Sequence, residues 1–328
     1  MPTQVDVASL AERTASCPSR LSTAMPLSLQ IFILAFLIGI VLRSRGILTK
    51  AHAERLAAFV FSVSLPATIL ISLDPVALTS TAWKLPLAAC LITLPMVVCS
   101  WQLSRFLSLP RETQGGFVLA TSSINSVYFA FPVILATFGE EGLTYAVLFD
   151  LGQTTLTLTV LYGLAVWHST QAATRRPTVI RFLSSPPLWA LACILVIKLS
   201  GQHLPLWLTE LLKPLHFTTT PLASLVLGLS ISFSTIWRTA RLATLGVATR
   251  IGGGLLLGLT AVWVLGLTGV ERAVVLLITA MPSAVSALII ATEAHLDEEL
   301  VASIVALSIC FGVLMLPWLP GLAALLLE

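Results

Sequence analysis

Apolar and polar positions along this chain alternate on the scale of whole segments. Long apolar runs, roughly 26–43, 52–73, 84–106, 115–137, 142–167, 183–200, 205–232, 240–267, 272–294 and 298–326, are separated by short polar stretches. About 20 apolar residues span a bilayer as a helix, so the pattern predicts an all-α membrane protein with ten transmembrane helices. Two runs are interrupted. Thr121 to Thr137 (TSSINSVYFAFPVILAT) opens with hydroxyls and an asparagine and carries Pro132; Thr279 to Thr292 (TAMPSAVSALIIAT) carries Pro282, Ser283 and Ser286. Proline removes a backbone donor, and in hydrocarbon the freed carbonyls and the Asn125 amide need protein or water partners. Such segments read as broken helices lining a cavity.

The two interruptions superpose at an offset of 158 positions, close to half the chain. FGEEGL from Phe138 then falls on LDEELV from Leu296, so Glu140 and Glu141 meet Glu298 and Glu299. Two halves, each with a broken span followed by an acidic loop, point to a transporter built from repeats whose site lies where the broken helices cross. Five spans per half make the halves insert oppositely, as inverted five-helix repeats. The expected organisation is a loose N-terminal tail at 1–25, a first repeat at 26–167, a linker at 168–182 and a second repeat at 183–328. Pro132 and Pro282 do not superpose, so the two crossings should be related but unequal.

Composition narrows the class. Apolar residues make up 57% of the chain, charged residues 10%, and mean hydropathy is +0.97. The net charge of +3 is spread over loops, so no nucleic-acid partner is expected. The histidines and cysteines show no metal-ligand spacing, and there is no nucleophile elbow or phosphate loop; no metal, cofactor or enzymatic activity is expected. Apart from Arg250, the loops on one side hold eleven Lys and Arg and those on the other side six. Positive charge stays cytoplasmic, which places the 168–182 linker in the cytoplasm and both termini outside, in the plasma (inner) membrane.

The ordered set of landmarks resembles the auxin efflux carrier family, which includes plant auxin exporters and bacterial permeases for small carboxylates such as malate and malonate. It comprises Asn125 with Pro132 seven residues on, AMPSAVSALIIATEAHLDEELVASIVAL from Ala280, FSVSLPATI around Pro66, TPLASLVLGLSI around Pro221, and Arg250. The resemblance runs over nearly the whole chain from about Leu27. It implies a ten-helix inverted-repeat fold related to bile-acid symporters, with a panel domain and a transport domain carrying the crossing. It also implies movement of small organic anions by alternating access.

The candidate substrate-binding residues are Asn125, Ser126, Ser283 and Ser286, with Pro132 and Pro282 as the breaks that present half-helix N-termini to an anion. Asp150, with Gln153 on the same helical face, and Arg250 are candidates for coupling or site support, because ionisable residues within a span are rare and costly. Arg250 could instead snorkel to the membrane surface. The expected partners are a small organic anion, lipid and a second copy in a homodimer. Proton or sodium coupling stays open, as does a receptor on the same fold that transports nothing.

Overall fold

The computed structural model describes residues 27–75, 83–170, 186–230 and 236–318. The expected tail at 1–25 and most of the 168–182 linker lie outside the described residues. The described chain is helical, and its one extended pairing is an isolated antiparallel bridge.

In chain order, α1 is Leu27–Ser44 and α2 runs from Lys50–Phe59 through a π-helical turn, Val60–Ser64, into Leu65–Leu73. Next come α3 (Lys84–Phe106) and α4 (Arg111–Ser122). The π-helical turn Ser126–Ala130 opens α5 (Phe131–Leu156), which continues through Thr157–Leu161 into Tyr162–His168. After α6 (Pro186–Leu199) and α7 (Leu206–Ser230), α8 runs from Ile236–Ala248 through the π-helical turn Thr249–Gly253 into Gly254–Leu265. The last three are α9 (Gly269–Thr279), α10 (Val285–Glu293) and α11 (Glu298–Met315).

Five described segments are long and apolar enough to cross a membrane: Ala51–Leu73, Lys84–Phe106, Ser126–His168, Arg238–Leu265 and Glu298–Trp318. Leu29–Ser44 and Pro186–Leu199 are shorter apolar helices. Long apolar helices are fewer than the apolar runs of the sequence because several runs are divided. Gly139, at φ +64° and ψ −157°, divides Ser126–His168 into two arms, a backbone conformation open essentially to glycine alone. The interrupted runs are built from the short helices α4, α9 and α10. The outer faces carry Leu34, Trp189, Leu256 and Trp263 exposed to the surroundings, as expected of surface that meets lipid rather than water.

The helices sort into two packed groups. In the first, α7 lies against α1 and α2, and α6 against α2. The α1–α7 contact is backbone to backbone: a Cβ added at Gly228 would lie 2.1 Å from the Phe36 carbonyl oxygen, and one at Gly39 would lie 2.6 Å from that of Leu225. In the second group α3 packs on α4, α5 and α8, α11 on α4 and α8, and α9 on α5 and α8. The two breaks lie inside this second group.

Candidate functional site: the crossing of two broken helices

α4 stops at Ser122 because Ser123 turns to extended backbone (φ −86°, ψ 127°), and the chain turns helical again at Ser126. α9 stops at Thr279; Ala284 is extended (φ −71°, ψ 138°) and α10 starts at Val285. The breaks cross antiparallel. The Asn125 N–H donates to the Pro282 carbonyl (2.9 Å), the Ala284 N–H donates to the Ser123 carbonyl (3.2 Å), and Ile124 and Ser283 form the bridge. The Asn125 side-chain Nδ2 donates to the Ser283 carbonyl at 3.3 Å. Asn125 and Ser283 stand 158 positions apart, the same offset that superposes the two halves of the sequence.

At the centre lies Arg250, from the π-helical turn of α8. Its guanidinium is fully buried and donates to three backbone carbonyls: Nη2 to Thr279 (2.8 Å), Nη1 to Thr121 (3.3 Å) and Nε to Met281 (3.3 Å). These are the carbonyls a helix leaves without partners at its C-terminal end. One side chain therefore caps both truncated helices. The snorkelling alternative does not hold, because no part of this residue reaches a membrane surface. Local sequence permits the approach: a Cβ at Gly254 would meet the Thr279 carbonyl oxygen at 2.3 Å, and one at Gly258 would meet Thr279 Oγ1 at 2.5 Å.

Ser283 is committed to the same assembly. Its N–H donates to Ser308 Oγ (3.0 Å) and its hydroxyl to the Ala120 carbonyl. Pro282 sits within its break. The first break lies seven to nine residues ahead of Pro132, which instead occupies the first turn of α5 just after the Ser126–Ala130 π turn. Helical backbone already runs from Ser126 through Ala130 into α5, so the N–H that Pro132 lacks belongs to the wide π turn ahead of it; Pro132 shapes the re-entry into helix and does not make the break. Ser286 is half-buried on the first turn of α10.

The first break is less completely satisfied. Asn125 Oδ1 and Ser126 Oγ are buried without a hydrogen-bond partner. Swapping the Asn125 amide atoms would not help, since the Ser283 carbonyl needs a donor. Asp150, from the second arm of α5, is buried and accepts from Thr154 Oγ1 at 3.1 Å; Ser126 approaches its carboxylate without reaching hydrogen-bond geometry. Gln153 turns away toward α3, where its Oε1 accepts from Thr93 Oγ1 at 2.5 Å.

Two cavities flank the crossing from opposite ends of the helices. One of about 440 Å³, between the ends of α1 and α7 and the α10–α11 region, is lined by Arg43, Glu54, Val285, Thr292 and Glu298 and reaches the start of α10. The other, about 180 Å³, is lined by Thr68, Phe131, His216, Thr219 and Pro221. There His216 joins the two helix groups, its Nδ1 3.4 Å from Thr68 Oγ1 and its Nε2 3.4 Å from Glu140 Oε1. His216 was not among the residues that sequence reasoning singled out. The signal was its place inside an apolar span between Pro214 and Pro221. Ser308 and Thr93 carried no signal.

Comparison with known proteins gives the family. Residues 23–320 match the profile of a family described as "Membrane transport protein". The chain belongs to this family, that of the auxin efflux carriers. A protein of Methanothermobacter thermautotrophicus named "Uncharacterized transporter" is 30% identical over 302 residues, covering 90% of this chain and 96% of the relative. A second so-named transporter, from Methanocaldococcus jannaschii, is 27% identical and covers 87% of this chain and 94% of the relative. The protein is thus an integral membrane protein of a transporter family.

Proposed function

We propose that this protein is a secondary carrier of small organic anions working by alternating access. Its architecture is read as ten crossings in two inverted five-helix repeats, with the α1, α2, α6, α7 group as panel and the second group as the moving transport unit. One observation carries the reading: the two breaks pair with each other while Arg250 occupies both C-terminal ends. The N-terminal ends at Ser126 and Val285, each carrying roughly half a positive charge, are then the ends left to face cargo. That arrangement attracts a carboxylate. Asn125, Ser126 and Ser286 are the side chains at those ends, and Ser283 and Arg250 hold them in place. The 440 Å³ cavity reaching Val285 would be the approach from the side of the α1–α2 and α10–α11 loops, which the Lys and Arg excess assigns to the cytoplasm. His216 and Glu140 would close the opposite side.

The test is uptake of radiolabelled malonate, malate and indole-3-acetate into proteoliposomes holding the purified protein. Saturable uptake of at least one acid, competed by the unlabelled acid and weakened at least tenfold in Asn125→Ala, supports the reading. No carboxylate moved above empty liposomes, with the protein folded, removes it in favour of a non-transporting receptor.

A further inference from the structure

Broken-helix carriers can use dissociable cations held by unwound carbonyls and half-helix C-terminal ends. Here those positions are taken. The Thr121, Thr279 and Met281 carbonyls all accept from Arg250, and the Pro282, Ser283 and Ser123 carbonyls accept from Asn125 and Ala284. The two C-terminal ends together carry about one negative charge, which the single guanidinium balances. Among the described residues no acid pairs with Arg250. A sodium ion would find its carbonyl ligands engaged and a fixed positive charge in its place.

A second buried ionisable group, Asp150, has the opposite surroundings. A cavity of about 30 Å³ lies beside it, room for about one water-sized group. Leu65 and Ile69 of α2, Phe131 and Leu158 of α5, and Pro187 and Leu191 of α6 face that cavity. None is titratable, and no described basic residue pairs with the carboxylate. Its polar neighbours are Thr154, which donates to it, and Ser126, whose hydroxyl is unpartnered. Ser126 adjoins the equally unpartnered acceptor Asn125 Oδ1. Oxygen acceptors thus outnumber donors at this break.

We propose that the crossing carries its own resident cation, Arg250, and takes up an exchangeable proton at Asp150, so that the carrier couples its anion to protons and not to sodium. This rests on the carrier reading above and adds the coupling ion. With Asp150 ionised, its charge offsets the positive N-terminal ends and opposes an anion. Protonation removes that charge and adds the missing donor beside Ser126. Anion and proton then favour each other's binding reciprocally, and anion affinity rises as pH falls.

The first test needs no substrate: infrared difference spectra of the purified protein between pH 8 and pH 5, in sodium and in choline chloride of equal strength. The expected result is a protonated-carboxyl C=O band that is present in wild type, lost in Asp150→Asn, shifted in titration midpoint in Asp150→Glu and Ser126→Ala, and the same in both salts. A melting temperature unchanged between the salts accompanies it, because a saturated sodium site would raise it by several degrees. A sodium-dependent rise in melting temperature in wild type overturns the proposal. So does a band set that Asp150→Asn and Asp150→Glu leave unchanged. Should the uptake assay detect no carboxylate while the Asp150 band titrates as described, the carrier reading falls and the proton site stands.

Discussion

The two breaks differ in how completely they are satisfied, and the difference assigns them different work. Around the second break, from Thr279 to Ala284, the Thr279, Met281, Pro282 and Ser283 carbonyls and the Ser283 amide and hydroxyl all have partners drawn from α4, α8, α11 and the first break. The first break, from Ser123 to Asn125, and Ser126 directly after it keep two buried polar atoms without partners and lie next to a buried carboxylate. A buried unpaired group costs about 1–3 kcal/mol, a cost retained where something binds more readily than where something is only held. On the proposed carrier function, the second break is the fixed jaw and the first is the one that responds.

Substitutions can break this contrast, and the largest effect is expected at Arg250. Arg250→Met strips three buried carbonyls across both breaks of their donor and should cost roughly 3 kcal/mol or more, read as a lowered melting temperature in detergent. Arg250→Lys should recover part of it, since a point-charge ammonium cannot fork to three acceptors. Equal melting of wild type and Arg250→Met would show that the guanidinium holds nothing together. Next comes Gly254→Ala, whose Cβ would collide with the Thr279 carbonyl and Arg250; it should cost about 1–3 kcal/mol by overpacking.

Ser283→Ala orphans the Ala120 carbonyl and should destabilise by about 1–2 kcal/mol. Asn125→Ala orphans the Ser283 carbonyl, held only by a long 3.3 Å bond, but also removes an unsatisfied acceptor, so its stability change should be under about 1 kcal/mol while anion uptake falls at least tenfold. Melting and uptake on the same two proteins decide the matter: if Asn125→Ala is the less stable of the pair, the assignment of jaws is reversed. The smallest effect, of opposite sign, belongs to Gly252→Ala. Nothing lies within 4 Å of its added Cβ, and relieving a helical glycine should stabilise by about 0.5–1 kcal/mol.

Much of this was legible in the residues. The 158-residue offset located both breaks, and the pairing of Asn125 with Ser283 realises that offset in space. The membrane class followed from the apolar runs, and Gly139 accounts for the gap between the fourth and fifth of them. Other features depend on tertiary contacts that carry no local signature. Arg250 sits about ten residues beyond Arg241, a spacing that fits a helix end as well as its centre; only the fold brings the Thr121 and Thr279 carbonyls to it. Pro132 drew attention to the wrong end of its segment, because extended backbone at Ser123 breaks a helix without help from proline. Gln153 shares a helical face with Asp150 in sequence, yet α3 supplies Thr93 to hold it elsewhere. His216 was passed over because partners from α2 and the Gly139 loop cannot be read from spacing.

The glycine contact between α1 and α7 has a mechanical consequence. Where Gly39 and Gly228 meet, the two backbones touch with no side chains between them, so the pair has no soft layer in which to slide. A slip of one helical turn, about 5.4 Å, would drive Phe36 or Leu225 into a space that fits only a hydrogen atom. The pair therefore behaves as an anchored pivot. On the alternating-access reading, motion of the crossing would be absorbed at the seams between the two groups, among them the one where Thr68, His216 and Glu140 meet, whose side chains can let go of one partner and take another.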